Sequence, residues 1–209
     1  MDKPVIILGS GGHASVVVDL LKLINASIIG ITDPLLKEGE ICFGDIRVLG
    51  SDDVVNDFSP KDVILVSGIG SLPGQKTRRK LFEHFSALGY EFGKIIHPSA
   101  VVAHSAKIFE GAQIMAGVVI QAGCFIGANT IINTSASVDH DCVVGSHCHI
   151  APGAVISGGV VVEDEVHIGT GASVIQSLII RKAAVVGAGS VIIKDLSKGE
   201  TQYSPRKKA

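Results

Sequence analysis

The second half of the chain places one branched aliphatic residue at every sixth position. From Ile96 to Ile192 each sixth residue is Ile or Val, at 17 successive positions. The residue two places earlier is usually small, and Gly, Asn or Asp often follows the aliphatic residue, as at Gly127 and Asn133. Six-residue repeats are typical of a parallel β-helix, in which each hexad forms one short strand and one corner.

Three hexads, or 18 residues, make one triangular coil of such a helix, so the repeat predicts between five and six coils. The aliphatic residue fills the interior and the small residue fits beside it. We expect the Gly, Asn or Asp that follows to adopt the unusual backbone angles of a corner. A β-sandwich would instead show period-two alternation with irregular turn spacing. The pattern therefore predicts an all-β parallel β-helix over residues 94–193.

The first ninety residues follow a different pattern, in which short apolar runs alternate with helical periodicity. Apolar runs predict buried parallel strands, and the longer periodic stretches predict helices. The strands are expected at 5–8, 27–31 and 63–66, and the helices at 14–24 and 75–88. This order predicts an α/β Rossmann-like domain over residues 1–93. Residues 194–209 are left as a C-terminal tail.

Glycine-rich turns follow the predicted strands of this first domain. Gly11, Gly12 and His13 lie between a strand and a helix, where backbone N–H groups bind phosphate, and Asp33 and Gly70 end the other two strands. The alternatives are a tight turn without a ligand and an Asp33 that caps a turn instead of contacting a ribose or a uracil. Arg78, Arg79 and Lys80 either form a solvated face or approach a diphosphate.

Composition narrows the class of protein. The 209 residues are 46% hydrophobic but only 4% aromatic, with 25 glycines, which fits Ile/Val/Ala-rich β structure better than a helical bundle. A net charge of −2 excludes a general basic field for nucleic acid or an anionic membrane. No apolar run is long enough to span a bilayer, and the four cysteines form no C-x-x-C pair. We therefore expect a cytoplasmic protein with reduced thiols.

The strongest chemical signal lies at His140 and Asp141. His140 comes two residues after interior Val138, so the hexad phase places it at an outward corner, where a histidine without a function is an equal alternative. One coil later the same position is Gly158. Cysteines and histidines crowd residues 140–149, as in a zinc site, but the phase turns Cys142 and Cys148 inward and the histidines outward. We therefore predict no metal.

These motifs resemble the hexapeptide-repeat sugar O-/N-acetyltransferases, which include sialic acid O-acetyltransferase-like proteins. The resemblance rests on the hexads, on the Gly-Ser-Gly-Gly-His run at 9–13 and on the Asn-Thr-Ser…His-Asp-Cys segment at 133–142. It is greatest to the enzymes of bacillosamine-type pathways that acetylate nucleotide-linked 4-amino sugars. It implies a left-handed β-helix, a homotrimer with acetyl-CoA sites between subunits, and a first domain that binds the nucleotide sugar.

The resemblance also implies roles for single residues. His140 would be the general base, Asp141 would orient it, and the Gly158 N–H would stabilise the oxyanion. Acetyl-CoA would be bound by His149, Thr170 and Ala188, of which His149 lies 18 residues before His167. The substrate would be bound by Gly11, Gly12, His13, Asp33, Gly70 and Asn133. The run from Tyr203 to Lys207 resembles a family ending that either lies near the CoA phosphates or is solvated.

The predicted reaction is transfer of acetyl from acetyl-CoA to the 4-amino group of a UDP-linked 4-amino-4,6-dideoxy sugar. The transfer is expected to be direct, in a ternary complex without an acyl-enzyme. GDP-perosamine and a sialic acid hydroxyl are the alternative acceptors. A non-enzymatic trimeric scaffold that binds nucleotide sugars is a third hypothesis, and the His140–Asp141 pair argues against it.

Overall fold

The computed structural model describes residues 3–203, and the chain divides into two compact units between Ile95 and Ile96. The first unit contains a sheet flanked by helices. Its elements are β1 (Val5–Leu8), α1 (Gly12–Leu23), β2 (Ile28–Thr32), β3 (Ile41–Cys42), β4 (Ile46–Gly50), a 3₁₀ helix (Asp52–Asp57), β5 (Ile64–Ser67), α2 (Thr77–Ala87) and β6 (Glu91–Phe92).

Strand β1 is the centre of this sheet. It pairs in parallel with β2 and β5, in the order β3-β4-β2-β1-β5-β6, and only β3 runs antiparallel to its neighbour β4. Its four apolar residues are all buried, as expected for a strand covered on both faces. The predicted strands correspond to β1, β2 and β5. Strands β3, β4 and β6 were not predicted, because their exposed and buried positions do not form an apolar run.

Helix α1 forms because its apolar residues recur at helical spacing. Ala14, Val17, Val18 and Leu21 are buried on one face, which packs in the core of the first unit. The helix ends where Asn25 adopts a left-handed φ of 56°. Helices α1 and α2 have 12 and 11 residues, and no helix within residues 3–203 is long and apolar enough to cross a membrane.

The second unit is built from two-residue strands joined by corners. They are β7 (Ile95–Ile96), β8 (Val101–Val102), β9 (Lys107–Ile108), β10 (Gln113–Ile114), β11 (Val119–Ile120), β12 (Phe125–Ile126), β13 (Ile131–Ile132), β14 (Ser137–Val138), β15 (Val143–Val144), β16 (His149–Ile150), β17 (Val155–Ile156), β18 (Val161–Val162), β19 (His167–Ile168), β20 (Ser173–Val174), β21 (Ile179–Ile180), β22 (Val185–Val186), β23 (Val191–Ile192) and β24 (Thr201–Gln202).

The register of these strands confirms the predicted parallel β-helix. Each strand from β8 to β20 pairs in parallel with the strand 18 residues further on, as Ile131 does with His149. Three faces result: β10, β13, β16, β19 and β22 lie on the first, β11, β14, β17, β20 and β23 on the second, and β12, β15, β18 and β21 on the third. From Ile114 to Ile192 every sixth residue is at most 2% exposed. The hexad residue therefore forms the core.

The expected conformation of the corners was wrong in its phase. Left-handed φ values recur every six residues from Gly111 to Gly189, three places after the interior residue and not one place after it. Glycines in the expected place have another function. A methyl group at Gly127 would lie 2.5 Å from the carbonyl carbon of Gly145. These glycines are needed for the close approach of stacked coils, not for their backbone angles.

The solenoid also continues past residue 193, the boundary that the hexads predicted. Strand β24 pairs with β22, and Thr201 lies beside Val185, 16 residues away instead of 18. Leu196 forms a parallel bridge with Ile180 at the same spacing. The last coil is thus two residues shorter than the others. A search at six-residue spacing therefore misses this coil, although its strand pairs normally.

Candidate active site

His140 and Asp141 form an exposed pair at the corner after β14. Nδ1 of His140 lies 2.9 Å from Oδ2 of Asp141, and their side chains are 63% and 74% exposed. The Asp139 carboxylate accepts a 2.8 Å hydrogen bond from the backbone N–H of His140. Because a carboxylate accepts at Nδ1, that nitrogen carries the proton and Nε2 keeps its lone pair.

Two glycines on neighbouring coils make room for this pair. A methyl group at Gly158, one coil later, would lie 2.6 Å from Nε2 of His140. One coil earlier, a side chain at Gly123 would collide with Oδ1 of Asp141. Asp141 itself has a left-handed φ of 58°, which a short polar residue tolerates. Sequence reasoning named Gly158 but missed Gly123, although subtracting 18 from 141 identifies it.

The local electrostatics make His140 a stronger base. The hydrogen bond to Asp141 is the largest cause, and the charge of Asp139 adds to it, so the pKa of His140 is raised above its usual value. Slight desolvation acts in the opposite direction and is outweighed. The ring is therefore held by one carboxylate and lies in the field of a second.

Buried thiols donate hydrogen bonds to the backbone carbonyls of the residues that precede His140 and Gly158. Sγ of Cys124 donates to the Asp139 carbonyl at 3.0 Å, and Sγ of Cys142 donates to the Ser157 carbonyl at 3.2 Å. Burial raises the pKa of Cys142 to about 11, so it remains a thiol donor. The described residues contain no group of three His, Cys, Asp or Glu side chains that could hold a metal ion.

A second group of polar residues lies on the first face and at its corner. The register pairs His149 with His167, as the 18-residue spacing predicts, and their rings meet edge to face with centroids 5.0 Å apart. Burial, with the neighbouring His149, lowers the pKa of His167 to about 4. Thr170 and Ala188 are exposed at the corner between the first and second faces. His140 and Gly158 lie at the next corner, between the second and third faces.

The glycine-bearing loops of the first unit meet at the carboxyl ends of its strands. A side chain at Gly68 would collide with the Gly9 carbonyl, and a methyl group at Gly70 would lie 3.4 Å from Cβ of His13. Methyl groups at Gly11 and Gly12 would meet no atom within 4 Å, so the turn that begins α1 is open. The structure therefore brings Gly11, Gly12, His13 and Gly70 into one loop cluster.

Asp33 joins this cluster through Ser10. Its Oδ2 accepts hydrogen bonds from the Ser10 hydroxyl and from the Ser10 N–H, the latter at 3.2 Å, and its Oδ1 accepts one from the Leu35 N–H at 2.8 Å. Burial acts to raise the pKa of Asp33, but these hydrogen bonds outweigh it and the pKa is lowered. Asp33 is thus an ionised acceptor, and Ser10 is a site residue that the sequence reasoning missed.

The three basic residues of α2 do not share one face. Arg78 is buried and donates from Nη1 to the Ile69 carbonyl at 2.7 Å, while Arg79 forms a 2.7 Å ion pair with Glu83. Burial lowers the pKa of Arg78 to about 9. Arg78 therefore fixes the loop before Gly70. Of the C-terminal run resembling the family ending, Ser204 to Lys207 lie outside the described residues.

Two protein families match parts of the chain. The PglD N-terminal domain family matches residues 4–85, and the bacterial transferase hexapeptide family, of six repeats, matches residues 123–158. These segments contain the glycine-bearing loops and the His140 corner, respectively. No curated protein sequence matches the chain.

Solved structures match almost the whole chain. The acetyltransferase domain of PglB from Neisseria gonorrhoeae is 32% identical, with a TM-score of 0.89 over 97% of each chain. A histidine-to-asparagine variant of perosamine N-acetyltransferase from Caulobacter crescentus, in complex with CoA and GDP-perosamine, is 34% identical, with a TM-score of 0.89 over 98% of this chain and 95% of that one. WeeI from Acinetobacter baumannii is 25% identical, with a TM-score of 0.84 over 95% of each chain. Identity and coverage of this extent, on a solenoid of 18-residue coils, place the chain in the hexapeptide-repeat sugar acetyltransferase family of acyltransferases.

Proposed function

We propose that the protein transfers an acetyl group from acetyl-CoA to the 4-amino group of a UDP-linked 4-amino-4,6-dideoxy sugar. The observation that carries the proposal is the His140–Asp141 pair, with Nδ1 and Oδ2 2.9 Å apart beside Gly158. Relatives that are solved with acetyl-CoA, or with CoA and GDP-perosamine, support the same class of reaction.

His140 acts as the general base through Nε2. The amine nitrogen attacks the thioester carbonyl carbon, a new N–C bond forms, and the C–S bond breaks as the carbonyl is restored. Nε2 takes the proton that the amine loses and returns it to the departing thiolate of CoA. Asp141 keeps Nδ1 protonated throughout and stabilises the imidazolium that forms. No bond to the protein is made, so the transfer is direct.

Gly158 stabilises the oxyanion that this attack creates. The His140 N–H is bound by the Asp139 carboxylate, but the equivalent N–H of Gly158 donates to no residue within 3–203. A free backbone N–H beside the base is the donor that a tetrahedral oxyanion needs. The absence of a side chain at residue 158 also leaves the space for His140.

Each complete site is formed by two copies of the chain in a homotrimer. Thr170 and Ala188, proposed with His149 to bind acetyl-CoA, lie at one corner of the prism, whereas His140 and Gly158 lie at the next. Both corners border the second face, on which Val101, Val155 and Val191 are exposed. If the second face is directed toward the threefold axis, the cofactor corner of one copy meets the His140 corner of its neighbour. Exposed valines on that face favour this arrangement.

The first unit binds the nucleotide. The open turn at Gly11 and Gly12 begins α1, which has no acidic residue in its first turn and no side-chain cap, so its N–H groups suit a diphosphate. His13 and Gly70 lie in the same loop cluster and contact the diphosphate or the sugar. Asn133, which the resemblance assigns to substrate binding, lies in the second unit, where its Nδ2 is 3.1 Å from Nε2 of His149.

The hydrogen bonds of Asp33 favour uracil as the base. A carboxylate has about four acceptor positions, and Ser10 and Leu35 fill three of those of Asp33. One position remains, which matches the single N3–H of uracil and not the two neighbouring donors of guanine. GDP-perosamine is the second candidate acceptor, because the Caulobacter relative is solved with it at 34% identity.

The test compares acceptors and then mixes variants. We expect UDP-linked 4-amino sugars to raise the melting temperature and to be acetylated, with initial rates that fit a sequential mechanism. A response to GDP-perosamine alone would overturn the choice of UDP, and ping-pong kinetics would overturn direct transfer. His140→Ala and Ala188→Phe, each inactive alone, should regain activity when refolded together if sites are shared between copies. Failure to complement would contradict the shared site.

A further inference from the structure

One column of small interior residues, in the position just before each strand of the third face, contains two cysteines at successive coils. Along the chain the column reads Ala106, Cys124, Cys142, Val160 and Leu178. Only the two cysteines can donate a hydrogen bond from the side chain, and each donates to the carbonyl 15 residues further on. Those two carbonyls begin the corners that contain His140 with Asp141 and Gly158. The thiols therefore lie at the two corners that form the candidate active site.

The first corner of the same column is closed by the backbone itself. The N–H of Ala106 donates to the Ala103 carbonyl at 2.9 Å. In the corner 157–160, no backbone N–H within residues 3–203 donates to the Ser157 carbonyl. Sγ of Cys142 donates to this carbonyl instead, at 3.2 Å. The buried thiol thus supplies the hydrogen bond that the turn does not make for itself.

The Ser157 carbonyl and the Gly158 N–H belong to the same peptide group. This group is planar and trans, so its C=O and its N–H point in opposite directions. Cys142 is fully buried inside the solenoid, so a carbonyl that bonds to it points inward and the Gly158 N–H points outward. Glycine has no Cβ to restrict its φ, so the orientation of this peptide depends on such an anchor.

We propose that Cys142 is a positioning residue that holds the Ser157–Gly158 peptide with its N–H directed outward, as the donor to the oxyanion. The inference rests on the proposed function, because acetyl transfer is the step that creates this oxyanion. A hydrogen bond accepted by the carbonyl also polarises the peptide and strengthens its N–H as a donor. The negative charge develops only in the transition state, so loss of the thiol should lower kcat and leave both KM values unchanged.

The chain offers a matched control for this bond and a model for its replacement. Sγ of Cys148 donates to the Glu163 carbonyl at 3.0 Å, again 15 residues further on. That corner lies between the third and first faces, away from the candidate active site. At the equivalent position one coil before Cys148, the Thr130 hydroxyl donates to the Gly145 carbonyl at 2.7 Å. A hydroxyl can therefore take the place of the thiol.

The test compares kcat and both KM values in the full-length protein. Alanine cannot donate, so kcat of Cys142→Ala should fall about tenfold, less than the roughly 10²–10³ that follows removal of an entire oxyanion donor. Cys142→Ser can donate through its hydroxyl and should regain most of kcat. Cys148→Ala loses the same kind of bond at another corner and should keep the kcat of the wild type. Circular dichroism establishes that each variant has folded.

Infrared spectroscopy measures the hydrogen bond of the thiol without any substrate. The difference spectrum between the wild type and Cys142→Ala should show an S–H stretching band at a lower frequency than that of free cysteine. A band at the frequency of free cysteine would overturn the inference. So would equal kcat losses in Cys142→Ala and Cys148→Ala, an unchanged kcat in Cys142→Ala, or a Cys142→Ser protein no faster than Cys142→Ala. If the wild type acetylates no nucleotide sugar, the proposed function fails, while the band still decides whether the thiol holds the Ser157 carbonyl.

Discussion

His140 and His149 belong to the same solenoid, yet their neighbours give them opposite properties. His140 is exposed and donates from Nδ1 to a carboxylate, which raises its pKa and leaves Nε2 as a base. His149 is buried, with Nε2 3.1 Å from Nδ2 of Asn133, beside the ring of His167, whose pKa burial lowers to about 4. The partner atom and the depth of burial, not the residue type, therefore decide which imidazole is placed to move protons.

Removing the exposed imidazole should have the largest effect. His140→Ala should lower kcat about a thousandfold, since a positioned general base contributes roughly 10²–10⁴. The KM for acetyl-CoA should change little. His104→Ala is the matched control, because His104 lies in the same corner position two coils earlier and has no proposed role. Turnover of His140→Ala near the wild-type rate would remove the distinction between the two histidines.

Gly158→Ala tests whether His140 needs the space beneath it. The added methyl group, 2.6 Å from Nε2, must displace the ring, so kcat should fall about a hundredfold, within the range for a misplaced catalytic group. The backbone of Gly158 is not left-handed, so the melting temperature should hardly change.

Gly159→Ala is the matched control for this effect. Gly159 has φ of +69°, and a methyl group there would meet only Ser177 Oγ at 3.6 Å. It should lose about 1–2 kcal/mol of stability through backbone strain and keep its activity. Equal activity losses in both variants would indicate a general disturbance of the corner instead of contact with His140.

The glycines also show what the sequence could predict. The six-residue period alone gave the parallel β-helix, its 18-residue coil and the outward corner of His140. It placed the left-handed residues wrongly, because a side-chain period does not say which of the four corner residues turns the backbone. It also missed Ser10 beside Asp33, and the inward Arg78, because those positions depend on the loops of the first unit and no repeat describes them.

Asp141→Asn tests whether the Asp141 carboxylate raises the pKa of His140. The base works only when unprotonated, so kcat/KM of the wild type should rise with pH through a His140 pKa above 6.5. Without the Asp141 carboxylate that pKa falls, so the rising limb should move to lower pH. The plateau should drop roughly tenfold because the tautomer is no longer held.

Asp139→Asn is the graded comparison, because the Asp139 charge is the smaller cause of the raised pKa. In Asp139→Asn the rising limb of the kcat/KM–pH profile should also move to lower pH, but by less than in Asp141→Asn. NMR titration of His140 in each variant checks the order. If the rising limb of kcat/KM moved to higher pH in Asp141→Asn, the pairing of His140 with Asp141 would be contradicted.

The smallest effect should come from the half-buried ring of His167, which contacts His149, and it concerns stability. The pKa of His167 falls from 6.5 to about 4 on folding, so the unfolded chain binds the extra proton between these values. Folding stability is therefore fully present above pH 6.5 and is lost as the pH falls toward 4. The ceiling is about 3 kcal/mol, and partial exposure of the ring reduces it to roughly 1–2 kcal/mol. In urea denaturation followed through the solenoid, His167→Gln should flatten this acid-side slope. His140→Ala should steepen it slightly, because a raised pKa stabilises the folded state on the acid side. If both variants changed the slope in the same direction, the two imidazoles would not differ as the structure indicates.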